Sequence, residues 1–149
     1  MKKIVLLFSA FLITFACLAQ TKNPVSLTYS SVKKADGTVD VVVAATIEKG
    51  WHIYSKNTDK GGPIPTSITY KINPLAKANG KLLENGKVEK VFDKTFGVNV
   101  LYYSNSVQFV QNFKVKPNIK TKVSGTIEYM VCDDEMCLPP KKQSFEVSL

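Results

Sequence analysis

The 149-residue chain contains no arginine: all twenty of its basic residues are lysine. Nucleic-acid and phosphate sites lean on the planar, bidentate guanidinium, and these lysines are scattered rather than run together. The formal charge of +8, about +6 once Lys2 and Lys3 are set aside, therefore reads as a solvated surface, and no nucleic-acid partner is expected. Histidine is nearly absent too, His52 being the only one. With no second histidine, serine-nucleophile motif or Gly-rich phosphate loop, hydrolytic and phosphoryl-transfer chemistry has no visible machinery. Beyond the first twenty residues no run is apolar enough to span a bilayer. Cysteine is scarce, and its placement is informative: Cys17, Cys132 and Cys137.

Residues 1–19 read as a signal peptide. Lys2 and Lys3 form a basic start, residues 4–15 an apolar core, and Cys17-Leu18-Ala19 a small-residue cleavage site, so the mature chain is expected to begin at Gln20. The apolar run is short for a transmembrane anchor. A lipid anchor on Cys17 is disfavoured by Thr14 and Phe15, which do not suit a lipobox. Export places residues 20–149 where disulfides form, and leaves Cys132 and Cys137 as the one surviving pair. This length suffices for a single domain with its own core.

That domain reads as all-β. Residues 25–29 alternate apolar and polar; residues 38–47 (TVDVVVAATI) are rich in β-branched residues and follow an Asp36-Gly37 turn signal. Further strands are expected at 51–54, 66–72, 81–83, 88–92, 98–103, 106–116, 122–132 and 143–149. Residues 55–65 read as a polar Gly-Pro loop, and residues 73–86 as turns around the short 81–83 strand. Eight or more short strands with turns between them predict an immunoglobulin-like β-sandwich, with an open barrel as the alternative.

Cys132 and Cys137 end one strand and flank four residues. If the chain returns after Leu138, the two would face each other across a tight turn at about 4.5–5.5 Å between Cα atoms, where a disulfide is feasible. Closing so small a loop stabilises by only ~2 kcal/mol, against ~4.7 for a hundred-residue loop. The bond is thus a poor staple, yet spacing alone leaves staple and reactive centre equally open. Asp133, Asp134 and Glu135 disfavour thiolate, which makes the dithiol a guarded nucleophile that reacts when a partner supplies the attacking thiolate. Cys132, Cys137, His52 and Met136 would also form a soft set suited to Cu(I), but a closed zinc site would want paired ligand spacing that is missing.

The segment Tyr129-Met-Val-Cys-Asp-Asp-Glu-Met-Cys-Leu-Pro-Pro resembles the redox segment of the N-terminal periplasmic domain of the thiol:disulfide interchange protein DsbD. Gly50-Trp-His-Ile-Tyr-Ser-Lys is similar to that family's aromatic strand beside the cysteines, and Val91-Phe-Asp-Lys-Thr-Phe-Gly to its cap loop. The resemblance covers essentially the whole mature chain. It implies an immunoglobulin-like fold and a periplasmic module that relays reducing equivalents to or from thioredoxin-fold proteins. The redox group implied is the Cys132–Cys137 disulfide itself, with no cofactor and no metal. The resemblance further implies that Cys137 forms the mixed disulfide and Cys132 resolves it. Tyr54 and Asp93 would shape the site, and Phe96, or alternatively Phe92, would shield it. This sequence departs from the best-known member in three ways: a turn one residue shorter, His52 in place of tyrosine, and Lys94 in place of glutamate. Nothing here supplies a membrane electron conduit, so a separate membrane electron donor is implied.

Other residues have plainer readings. Trp51 is expected in the core. His52 is either a half-packed strand residue or a neighbour of the sulfurs that stabilises a thiolate or donates to Asp93. Tyr54 suits either core or site, and Met136 shields the turn between the cysteines.

Overall fold

The computed structural model describes residues 23–94 and 97–149, so the signal-peptide reading and Phe96 lie outside the described residues. Those residues contain no helix, only nine strands. In chain order they are β1 (Val25–Lys33), β2 (Thr38–Ile47), β3 (His52–Tyr54), β4 (Ser67–Tyr70), β5 (Ala76–Asp93), β6 (Val98–Val115), β7 (Lys122–Tyr129), β8 (Val131–Cys132) and β9 (Lys141–Ser148). The result is the expected immunoglobulin-like sandwich.

Alternation dictates the framework. In β2 every second residue, from Val39 through Val41, Val43 and Ala45 to Ile47, is buried, as a strand with one face on a core requires. β1 and β6 flank it, both antiparallel. β6 runs 18 residues and outreaches β2 at its N-terminal end. There, after a turn whose Gly50 takes φ 86°, β3 continues along the same strand, pairing with residues 102–104. β8 pairs with the outer side of β3, and β5 runs along the other edge of β6. The second sheet is β4–β7–β9.

Between the sheets lies the main core, including Trp51, Ile53, Phe109, Ile127 and Tyr129. The ring of Phe145 stacks on Tyr29 at 5.0 Å and meets Tyr70 edge-on at 5.9 Å. Gly125 makes room for it: a Cβ there would sit 2.7 Å from the Phe145 ring and 2.7 Å from the Thr69 carbonyl. The hydroxyls of Tyr29, Tyr70 and Tyr129 are buried without a hydrogen-bond partner among the described residues.

Three strand expectations change. Residues 73–86 are not turns around a short strand; from Ala76 the chain is one strand with the 88–92 segment. Gly80 at φ 78° and two register shifts, between Asn79 and Leu83 and between Gly86 and Val88, absorb the irregularity while pairing to β6 continues. The 98–103 and 106–116 segments likewise fuse into β6 through Asn105 at φ 67°. Conversely, the 122–132 strand divides at Met130: β7 belongs to the three-stranded sheet and β8 to the six-stranded one. That change of sheet carries the cysteine segment to the edge of β3.

Candidate functional site

Cross-strand partners in a sheet point to the same face, so the register assembles the site directly. Cys132 pairs with His52. Tyr54, two residues on, pairs with Tyr102, and Tyr102 with Glu89. Val100 pairs with Val91, and Val98 with Asp93. Cys132, His52, Tyr54, Tyr102, Glu89 and Asp93 therefore share one face of the six-stranded sheet, the face turned away from the main core. Ile53 and Val131, which alternate with them, point into that core.

A second, small apolar cluster lies under the site. Tyr54, Val100 and Cys132 are buried in it, with Val98, Tyr102 and Met130 packed against them. Cys132 is bonded to Cys137, with 4.0 Å between their Cα atoms, slightly closer than the spacing expected from a hairpin. The bond joins unlike partners: Cys132 is 1 % exposed, whereas Cys137 lies open at the surface.

The turn between them is organised by Asp133. Its carboxylate accepts from the backbone N–H groups of Glu135 at 3.0 Å and Met136 at 2.8 Å, while its own N–H donates to the Met136 carbonyl at 2.9 Å. Leu138 N–H then bonds back to the Val131 carbonyl at 2.9 Å. Asp134 and Glu135 are exposed. No lysine of this segment offsets them: Lys141 reaches Asn23 at 2.8 Å and Lys142 reaches Glu128 at 3.4 Å.

His52 is held on two sides. Its Nε2 lies 3.1 Å from the Tyr54 hydroxyl, with the rings edge-to-face at 5.2 Å, and its ring tilts over Tyr102 at 4.7 Å. Burial lowers the His52 pKa, and the charges of Asp134, Asp133 and Glu89 pull it back up. Burial raises the Tyr54 pKa, and the nearby Asp93 adds to the rise. Tyr102 is raised first by burial and then by Glu89, its hydroxyl standing 3.5 Å from that carboxylate. At neutral pH the face therefore presents a neutral imidazole and two neutral phenols among carboxylates.

The loop after β3 is tied down rather than loose. Glu84 accepts from the Ser55 hydroxyl at 2.7 Å, the Lys56 amide at 2.8 Å and the Asn57 side chain at 3.0 Å. Thr58 accepts from the Leu101 amide at 2.9 Å. These bonds fix the backbone that leaves Tyr54.

Among the residues singled out from sequence, Cys132, Cys137, His52, Tyr54 and Asp93 come together on this face. Met136 stands 57 % exposed on the turn. Phe92, the alternative shield, is 58 % exposed and pairs with Asn99, so it points to the face opposite Asp93. Trp51 belongs to the main core. Sequence reasoning missed Tyr102, Glu89 and Val100. The signal was present in the hairpin: once Asp93 is assigned to the site, the Gly97-to-Asp93 turn sets a register that brings Glu89 opposite Tyr102.

Among the described residues no cluster of three or more His, Cys, Asp or Glu is arranged to hold a metal ion, and no helix is long and apolar enough to cross a membrane. A cleft of about 550 Å³ lies at the far end of β6, lined by Lys33, Lys34, Lys116 and Lys120 over Val39 and Val115, remote from the cysteines.

A family model described as the thiol:disulfide interchange protein DsbD, N-terminal, matches residues 21–149. No curated protein sequence matches the chain. The fold is similar to that of the DsbD N-terminal domain of Neisseria meningitidis in the reduced form, with a TM-score of 0.52 at 19 % identity, covering 72 % of this chain and 75 % of that one. The complex between the DsbD and PilB N-terminal domains of the same organism matches with a TM-score of 0.53 at 17 % identity, over 85 % and 87 % of the two chains. The N-terminal periplasmic domain of ScsB from Proteus mirabilis gives 0.54 at 17 % identity, over 82 % of this chain but only 44 % of that one. At these identities the solved structures establish the fold.

Proposed function

Because this chain belongs to the family of the DsbD N-terminal domain, we propose that it is a thiol–disulfide exchange module working through Cys132 and Cys137. The observation that carries the reading is the unequal access of the two bonded sulfurs. A partner thiolate attacks the exposed Cys137 Sγ in line with the Cys132–Cys137 bond. The new bond joins the partner to Cys137, and the electron pair of the broken bond leaves on Cys132 Sγ. To reduce the Cys132–Cys137 pair, a second thiolate of the partner then attacks the partner sulfur and releases the Cys137 thiolate. In the opposite direction a reduced Cys137 attacks a partner disulfide, and Cys132 thiolate attacks Cys137 Sγ and releases the reduced partner. Whichever pair ends as the disulfide has lost two electrons to the other, and no cofactor is needed.

Asp133 shapes the turn, and Tyr54 and Asp93 line the face beside the sulfurs. The partners are thioredoxin-fold proteins, a reading supported by the meningococcal relative, whose DsbD domain forms a complex with the PilB N-terminal domain. Residues 1–19 act as a cleavable signal peptide that delivers residues 20–149 to the periplasm.

The deciding experiment equilibrates the pair against glutathione redox buffers. A potential within reach of that couple supports exchange; one well below about −300 mV marks an inert staple and overturns the proposal. Trapping adds a second arm, since Cys132→Ala should accumulate a mixed disulfide at Cys137.

A further inference from the structure

We propose that His52 is the general base for Cys132: it takes the thiol proton and so makes the buried cysteine the nucleophile that resolves a mixed disulfide at Cys137. The inference rests on the exchange reading above and assigns a proton path to the same site.

The need comes from burial. Cys132 is 1 % exposed, so bulk water and hydroxide have little access to its proton. Asp133 and Asp134 beside it disfavour a thiolate. A base close by, and neutral before the step, is therefore required. His52 is the register partner of Cys132 on the adjacent antiparallel strand, and such partners hold their Cβ atoms roughly 4.5–5.5 Å apart on one face. Its ring is restrained by Tyr54 and Tyr102 rather than free to swing into solvent. In the tautomer whose Nε2–H donates to the Tyr54 oxygen, Nδ1 is the nitrogen that keeps a lone pair and can take up a proton.

The groups facing His52 suit both halves of the task. Burial, the dominant influence, keeps the imidazole neutral at rest. Tyr54 faces it from β3, Tyr102 from β6, Glu89 from β5, and Asp133 and Asp134 from the turn after β8. Those three carboxylates, together with the new thiolate, stabilise the imidazolium once it forms. The Cys132 proton passes to His52, and the thiolate attacks Cys137 Sγ. The Cys132–Cys137 bond forms as the Cys137–partner bond breaks. The electron pair departs with the partner sulfur, and His52 returns its proton to solvent.

The test follows reduced, untagged protein reacting with excess oxidised glutathione, quenched at intervals and read by mass spectrometry between about pH 5 and 9. Resolution is the rate, independent of glutathione concentration, at which the glutathione adduct on Cys137 disappears. The wild-type rate should level off above the His52 titration. In His52→Gln it should climb tenfold per pH unit and lie roughly 100-fold below wild type near pH 6.5, the low end of general-base effects. Superimposable profiles overturn the inference while leaving the exchange reading intact. A wild-type adduct that never resolves overturns the exchange reading instead. A second measurement needs no variant: His52 is the sole histidine, so its ring proton titrates as one NMR signal. Coupling to Cys132 should make that titration differ between oxidised and reduced protein, and identical curves overturn the proposal.

Discussion

Cys132 and Cys137 share a disulfide and a backbone bridge but not an environment: the first is buried with Tyr54 and Val100, and the second lies open beside an acidic turn. After reduction, alkylation at neutral pH should therefore modify Cys137 first, with Cys132 reacting only on longer exposure or partial unfolding. Peptide mass spectrometry on a time course checks the order. Equal rates at the two sulfurs would contradict the access difference.

Removing the bond should cost little. For Cys132→Ala/Cys137→Ala the loop-closure estimate is about 2 kcal/mol, or a fall in Tm of roughly 5–10 °C, because the bridged residues are only five apart in sequence. Thermal unfolding of the oxidised protein and the double variant measures this. A loss nearer 5 kcal/mol would return the bond to the status of a staple.

The sandwich was legible because its framework strands alternate cleanly. The β2 run of valines, the Asp36-Gly37 turn and the 25–29 alternation each specify a half-buried strand without help from the rest of the chain. The 73–86 region was misread because glycine and proline normally mark turns, and no local signal says that bulges at Gly80 and Gly86 will be carried by pairing with β6. The divide at Met130 was invisible for the opposite reason: residues 122–132 are uniformly strand-like, and which sheet each half joins is decided by distant partners. In the site, the cysteines, Tyr54 and Asp93 were readable from motif. Tyr102 and Glu89 were not, because an aromatic and a charge at alternating strand positions read by default as core and surface.

Glu84 gathers the start of the 55–65 loop through three hydrogen bonds. Glu84→Ala should destabilise by roughly 2–3 kcal/mol, as expected when a charged acceptor is removed from several donors. The same change should speed amide exchange at Lys56, whose N–H would lose its acceptor. Hydrogen exchange by mass spectrometry or NMR reads the local effect, and chemical denaturation the global one.

Tyr70 gives an alkaline signature. Burial raises its pKa far above the usual phenol value, and burial also raises Tyr29 and Tyr129. The unfolded chain ionises near pH 10 while the folded one holds its protons, so the unfolded state binds fewer protons there and stability falls as pH rises past about 10. Below that point these groups are protonated in both states and contribute no pH dependence. Tyr70→Phe should be near neutral in stability at pH 7, since the hydroxyl it removes has no partner among the described residues. It should also flatten part of the alkaline decline. Guanidinium midpoints at about pH 7 and pH 11 test both halves.

The face that holds the sulfurs is gathered from β3, β5, β6 and β8, whose members lie as much as 80 positions apart along the chain. It cannot assemble before the sheet does. β3, β5 and β6 come earlier in the chain than the cysteine segment, and each contributes side chains to the face on which the sulfurs sit. The surroundings of the two sulfurs are thus a property of the folded sheet, and an unfolded chain, in which those strands are apart, lacks them.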